Sequence, residues 1–315
     1  MRMRTCVSSM AAGGNMEWLK SVKGVILDMC GVLYDSGEGG GQAIHGSIEA
    51  VKRLMDSGLI VRFCTNETQN TREKFVQKLR AMGFDISVSH VFSPAPALVR
   101  ILRERRLRPH LLVHDDLMPE FDDVDTSSPN CVVIGDAADK FSYQNLNEAF
   151  RVLIGLEKPL LFSLGQGRYY KETDGLKLDV GVFMKALEVN TVNEYACDVQ
   201  AEVVGKPSAD FFQTVLNDMS LQPHEVVLQL CSRSGLWYSE LRSPCSPCFC
   251  VCVCQAVMIG DDLLNDVGGA QRCGMKGIQV RTGKYRPSDE KHPSVRADGY
   301  VDDLAAATDA ILTNP

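Results

Sequence analysis

Short apolar runs that end on polar residues recur along the chain. Val25-Ile26-Leu27 stops at Asp28, Val61-Arg62-Phe63-Cys64 stops at Thr65-Asn66, and Val257-Met258-Ile259-Gly260 stops at Asp261-Asp262. Runs this short and this rich in β-branched residues read as buried strands. An apolar strand gains nothing from a terminal aspartate, so the residue calls for a chemical reason. The carboxyl ends of parallel strands face the crevice where open α/β sheets bind ligands, and the three tips are expected to meet there.

Between the strands the pattern takes a helical period. Ser47 caps an expected helix through residue 57 with Ile48, Val51 and Leu54 on one face, after a glycine-rich loop over 36–46. A strand over 59–65 and a helix over 71–82, stopped by Gly83, follow. This βαβα order builds a parallel sheet. Ser93-Pro94-Ala95-Pro96 reads as a break, followed by a second alternating series. Its strands are expected at 111–114, 131–135 and 160–163, its helices at 97–105, 143–155 and 181–188. Sheet elements of the first kind resume at Glu202-Val203-Val204-Gly205, then helices over 210–219 and 266–273 and a strand over 277–280. The fold class is α/β: a doubly wound parallel core over 22–93 and 199–315, a large α/β insert over 94–198, and a flexible extension over 1–21.

Two segments break the pattern. Val189-Asn190-Thr191-Val192-Asn193 interrupts an otherwise helical 184–197. Residues 228–255 separate Leu221-Gln222-Pro223-His224-Glu225-Val226-Val227, which already leads towards a strand, from the Asp261 tip. Structureless loops of that length are uncommon inside a domain. A strand over 252–259 is favoured because it runs directly into Asp261.

The 315 residues are 45% hydrophobic, enough for one large core or two domains, and a net charge of −7 argues against a nucleic-acid surface. No apolar stretch is long enough to span a membrane, and the first residues lack the apolar middle of a signal peptide. The expected compartment is the cytoplasm, with the nucleus as a further one. Six of the twelve cysteines fall between Cys231 and Cys254, and Cys245 and Cys248 have C-x₂-C spacing. Structural zinc sites use separated pairs around a folded turn, so this run is read as extra sequence rather than a metal site. No disulfide framework is expected.

The tips carry chemistry when taken together. An aspartate such as Asp28 can attack phosphorus, and phosphoryl transfer asks for a divalent cation and a fixed protein cation. Asp28 and Asp261 offer hard oxygens to Mg²⁺. Lys206, straight after an apolar run and before Pro207, offers the fixed charge, while Thr65 and Asn66 offer a hydroxyl and an amide to phosphoryl oxygens. Singly, each residue has an ordinary reading as a turn, a cap or a solvated charge. The order of all of them, each behind an apolar run, favours the joint reading.

That order resembles the haloacid dehalogenase-like phosphatases: DMCGVLYD, CTN, VGKPS and GDDLLND stand in for the four motifs, with a large cap between the second and third. Further segments, among them GQGRYYKETDGL and VRTGKYRPSDE, are similar to a branch that acts on phosphohistidine, phospholysine and inorganic pyrophosphate. The resemblance implies Asp28 as nucleophile and Mg²⁺ ligand, Asp261 as a second ligand, and the backbone carbonyl of Cys30 as a third. It puts Met29, Cys30, Thr65, Asn66 and Glu67 at the substrate, Lys206 against the phosphoryl group, and Asp262 and Asp266 in support. It also implies a homodimer formed through the cap, with 143–156 as the suggested surface.

Two departures qualify it. Most of the superfamily carries an aspartate general acid where this chain has Cys30, a loss that typically costs ~10²–10⁴-fold and costs least with good leaving groups. A redox-sensitive thiol is the other reading of Cys30. The second departure is the 228–255 interval, which would silence the enzyme if it displaced Asp261. A sugar- or nucleotide-phosphate phosphatase and a catalytically silent binding protein therefore stand as alternatives.

Overall fold

The computed structural model describes residues 17–188, 199–221 and 255–313. The Cys231–Cys254 run, the His224–Val227 lead-in and the 189–193 interruption lie outside the described residues.

A six-stranded parallel sheet runs in the order Gly299–Val301, Lys276–Val280, Ala256–Gly260, Gly24–Leu27, Ile60–Cys64, Val91–Phe92. The Gly24–Leu27 strand is central. Leu27 pairs with Ile259 on one side and with Phe63 on the other, so all three strands end level. Asp28, Thr65 and Asp261 therefore leave the sheet at one edge, as the apolar-run-then-polar pattern predicts.

Strand alternation sends Val25 and Leu27 to one face and Ile26 to the other. The first face is covered by helices Ser47–Asp56, Arg72–Ala81 and Leu304–Leu312, the second by Ala209–Asp218 and Gly268–Arg272. Burial on both faces explains why these strands read as unbroken apolar runs.

A second, four-stranded parallel sheet has the order Glu202–Val203, Leu161–Ser163, Cys131–Ile134, Pro109–Leu112. Helix Pro94–Glu104 packs on one of its faces, helices Tyr143–Ile154 and Val180–Leu187 on the other. An antiparallel hairpin, Tyr169–Glu172 with Gly175–Leu178, projects from it.

Several local expectations are corrected. Glu202-Val203 does not resume the first sheet; it pairs with Phe162-Ser163 in the second, because its polar–apolar residues suit an edge. Pro94 does not break the chain but occupies the first turn of helix Pro94–Glu104, where its missing N–H costs nothing. Residues 17–21 are not a loose extension: Leu19 is buried in the main core and Trp18 packs against it. Gly46, not Ser47, caps the first helix, and the Ser47 hydroxyl instead donates to the carbonyls of Leu33 and Ile44 at 2.7 Å. Ala50, rather than the exposed Ile48, joins Val51 and Leu54 in the core. The glycine-rich loop holds a small hairpin, Tyr34–Asp35 with Gln42–Ala43. The strand before Asp261 starts at Ala256, and Gln255 belongs to the fold because its carbonyl accepts from the N–H groups of Lys23 and Gly24.

Phe212 is fully buried in the helix that follows Lys206 and packs beneath the second face. Phe212→Ala is expected to lower stability by about 3–5 kcal/mol in urea unfolding.

Candidate active site

The Asp28 carboxylate sits 2.5 Å from the Lys206 ammonium, which lies 2.7 Å from Asp266 on its other side. All three side chains are buried. Burial alone would lower the lysine, but Asp266 and Asp28 outweigh it and hold the ammonium above its ordinary range. One lysine thus serves two carboxylates.

Asn66 sets where that lysine starts. Its amide oxygen accepts from the Lys206 N–H at 2.8 Å and its amide nitrogen donates to the Lys206 carbonyl at 2.9 Å. Asn66 therefore positions the Lys206 backbone as well as lining the cavity, and the second N–H of its amide is the donor left for a phosphoryl oxygen. Gly205 makes room for this clamp, since a Cβ there would meet the Asn66 amide and the Leu164 carbonyl. Thr65 lines the cavity and its hydroxyl oxygen accepts from the Glu67 N–H at 3.0 Å. Glu67 accepts from Gln69 N–H at 2.7 Å and also faces the cavity. Met29 has its side chain in the hydrophobic core, so only its backbone is left for a substrate.

Asp261 completes a group. Carboxylate oxygens of Asp28, Asp261 and Asp266 lie within 4.8 Å of one another. One Asp261 oxygen accepts from the Lys284 N–H at 2.8 Å; the other is buried without a hydrogen-bond partner. Gly31 and Gly283, both with positive φ, close around the paired oxygen, and a Cβ on either would collide with it. Burial first, then the charges of Asp28 and Asp266 against that of Lys284, pushes Asp261 well above the ordinary carboxylate range. Burial and the Asp28 charge take Asp266 up to about 7 despite Lys206. Three crowded hard-oxygen donors and an orphaned buried oxygen fit a divalent cation. Asp266, expected only in support, brings its carboxylate into this group.

Asp262 does the supporting work. It caps the following helical turn by accepting from the N–H groups of Leu264 and Asn265 at 2.9 Å, and Lys284 lies 3.2 Å away. Burial pulls this carboxyl upward, but Lys284 and the Asn265 hydrogen bonds outweigh it and bring it down to about 2. Lys284 was not expected from the sequence, where Arg281-Thr282-Gly283 separate it from its apolar strand. Burial, above all, pushes the Cys30 thiol up to about 12, and its Sγ points to the Ser36 hydroxyl at 3.6 Å. That removes the basis for a reactive, redox-sensing thiolate.

The cavity over these groups has a volume of about 150 Å³ and is also lined by Asp136 after the Cys131–Ile134 strand, Tyr170 of the hairpin and Asp179 at the start of the Val180–Leu187 helix. Asp136 ends a Val132-Val133-Ile134-Gly135 run, the same signal that marked Asp28, in the inserted segment.

A family model described as haloacid dehalogenase-like hydrolase matches residues 25–127, and a second, HAD-hydrolase-like, matches 246–307. A relative from Danio rerio named phospholysine phosphohistidine inorganic pyrophosphate phosphatase is 77% identical over 305 residues, covering 97% of this chain and 100% of its own length. A Homo sapiens relative of the same name is 56% identical, covering 93% and 96%. The chain belongs to this family of haloacid dehalogenase-like phosphatases. The crystal structure of a 4-nitrophenylphosphatase from Thermotoga maritima shares the fold, with a TM-score of 0.72 and 21% identity over 93% of this chain and 99% of the other. The second family match begins inside the 228–255 interval and contains the Asp261 tip. That tip stands in register beside Asp28, so the displacement on which the silent-binding alternative depended is absent.

Asn66→Ala releases the Lys206 backbone while leaving every charge in place. Steady-state kinetics are expected to show kcat reduced on the order of 10²-fold, from misplacement alone.

Proposed function

We propose that this phosphatase hydrolyses phosphohistidine, phospholysine and inorganic pyrophosphate with Mg²⁺, through an aspartyl-phosphate on Asp28. The observation that carries the reading is the Asp28 carboxylate, buried at a strand tip, 2.5 Å from Lys206 and beside the orphaned Asp261 oxygen. The names borne by the Danio rerio and Homo sapiens relatives support the substrate set.

An Asp28 oxygen attacks phosphorus; the O–P bond forms as the bond to the leaving group breaks, and the electron pair departs with that group. Lys206 faces the negative charge that spreads over the phosphoryl oxygens, and the Thr65 hydroxyl stands at the same wall. Asp28, Asp261 and Asp266 would hold Mg²⁺, which neutralises phosphoryl charge when bound. Water then attacks the phosphorus of the acyl phosphate, the P–O bond to Asp28 breaks, the carboxylate is restored, and inorganic phosphate leaves carrying the water's two protons. Cys30 supplies no carboxylic acid to the leaving group, which favours substrates that depart without one. Pyrophosphate and protonated P–N compounds fit that limit better than sugar phosphates do.

The same reading includes a homodimer, supported by the exposed Tyr143 and Ile154 on the Tyr143–Ile154 helix, and a cytoplasmic and nuclear location. Phosphate release from pyrophosphate and phosphohistidine is expected to stop on chelation and return with Mg²⁺. In Asp28→Asn it is expected to fall by on the order of 10⁴-fold or more. Metal-dependent release that survives in Asp28→Asn would rule out the nucleophile.

A further inference from the structure

The carboxylates that line the cavity are not balanced alike. Lys206 and Lys284 stand among the strand-tip carboxylates. Asp136, Glu67 and Asp179 also line the cavity; Lys284 acts on Asp179 and Lys78 on Glu67, whereas neither Lys206 nor Lys284 is among the groups acting on Asp136, and among the described residues Asp136 forms no ion pair. Asp136 is the most enclosed of them, only 9% exposed. One of its oxygens accepts from Gln69 Nε2 at 2.8 Å and the other from the Ala138 N–H at 3.2 Å. Its own N–H donates to the Thr68 hydroxyl at 2.9 Å, so a residue of the second sheet is docked firmly on the loop after the Ile60–Cys64 strand. Gln69 Nε2 also donates to the Tyr170 hydroxyl at 3.3 Å. A carboxylate held by neutral donors alone keeps its charge unbalanced, and burial is costly for such a group. Burial, with Glu67 nearby, raises Asp136 above the usual carboxylate range, which a neighbouring cation would reverse.

We infer that Asp136 selects the leaving group: it receives the positively charged nitrogen of a protonated phosphoramidate, phospholysine or phosphohistidine, at the cavity wall where it is fastened to Thr68 and Gln69. The inference rests on the proposed P–N activity and names the residue that sets it apart from pyrophosphate cleavage. In such a substrate the proton is already on the amine nitrogen or, for phosphohistidine, on the imidazole. When the Asp28 oxygen bonds to phosphorus, the P–N bond breaks and its electron pair stays on nitrogen. The amine or imidazole leaves neutral, with no acid required from residue 30. A carboxylate beside the nitrogen holds the substrate in this protonated form. It opposes pyrophosphate, whose leaving group is itself an anion.

The test compares the full chain with Asp136→Asn on phospholysine, phosphohistidine and pyrophosphate, with Mg²⁺ present. The variant is expected to lose about tenfold or more in kcat/KM on both P–N substrates, as for a lost charged hydrogen bond, and to gain on pyrophosphate. Pyrophosphate turnover in the same preparation reports that the variant is folded. A change by one common factor in Asp136→Asn would show a structural role and overturn the inference. Wild-type chain that cleaves pyrophosphate but neither P–N compound would overturn the substrate reading, and the inference with it.

Discussion

One buried lysine shared between two carboxylates is the interaction on which the active site depends. Lys206 and Lys284 together face four carboxylates, Asp28, Asp261, Asp262 and Asp266, and two cations do not balance them. Crowding like charges in a buried site is unfavourable unless a further cation joins them. The surrounding structure keeps the groups from relaxing apart. Level strand ends fix Asp28 and Asp261, the Asn66 amide fixes the Lys206 backbone, and two glycines in the left-handed region close on Asp261. The site is held in a state that favours bound metal and an incoming phosphoryl group.

The inserted segment lines the same cavity rather than forming a separate surface. Asp136 is fastened to Thr68 and Gln69, and the Tyr169–Glu172 hairpin reaches Ser36 through the Lys171 carbonyl and the Thr173 N–H. Under the proposed function, phosphoryl chemistry belongs to the strand tips of the first sheet, and the group attached to phosphorus meets residues of the inserted segment.

Much of this was legible in the sequence because burial and chemistry leave opposite marks. A strand buried on both faces is apolar throughout, so a polar residue at its tip stands out, as at Asp28, Thr65 and Asp261. The central strands and their helices follow from the same period. The direction of a side chain does not follow from it. Asn66 stands at a tip yet its amide also holds the Lys206 backbone, and Asp266 enters the metal-like group only because the turn capped by Asp262 folds it back. Partnering of short strands is likewise invisible locally: Glu202-Val203 resembles a return to the first sheet and pairs in the second. Asp136 carries the same run-then-polar signal inside the inserted segment, whereas Lys284 is separated from its strand by Arg281-Thr282-Gly283 and carries it only weakly.

The most direct test of the account is capture of the covalent state. The enzyme would be acid-quenched during turnover of phosphohistidine, reduced with borohydride and digested for peptide mass analysis. Reduction of an aspartyl-phosphate turns that aspartate into homoserine, and the account predicts homoserine at residue 28. Turnover with residue 28 left as aspartate, and homoserine absent or at another aspartate, would contradict it.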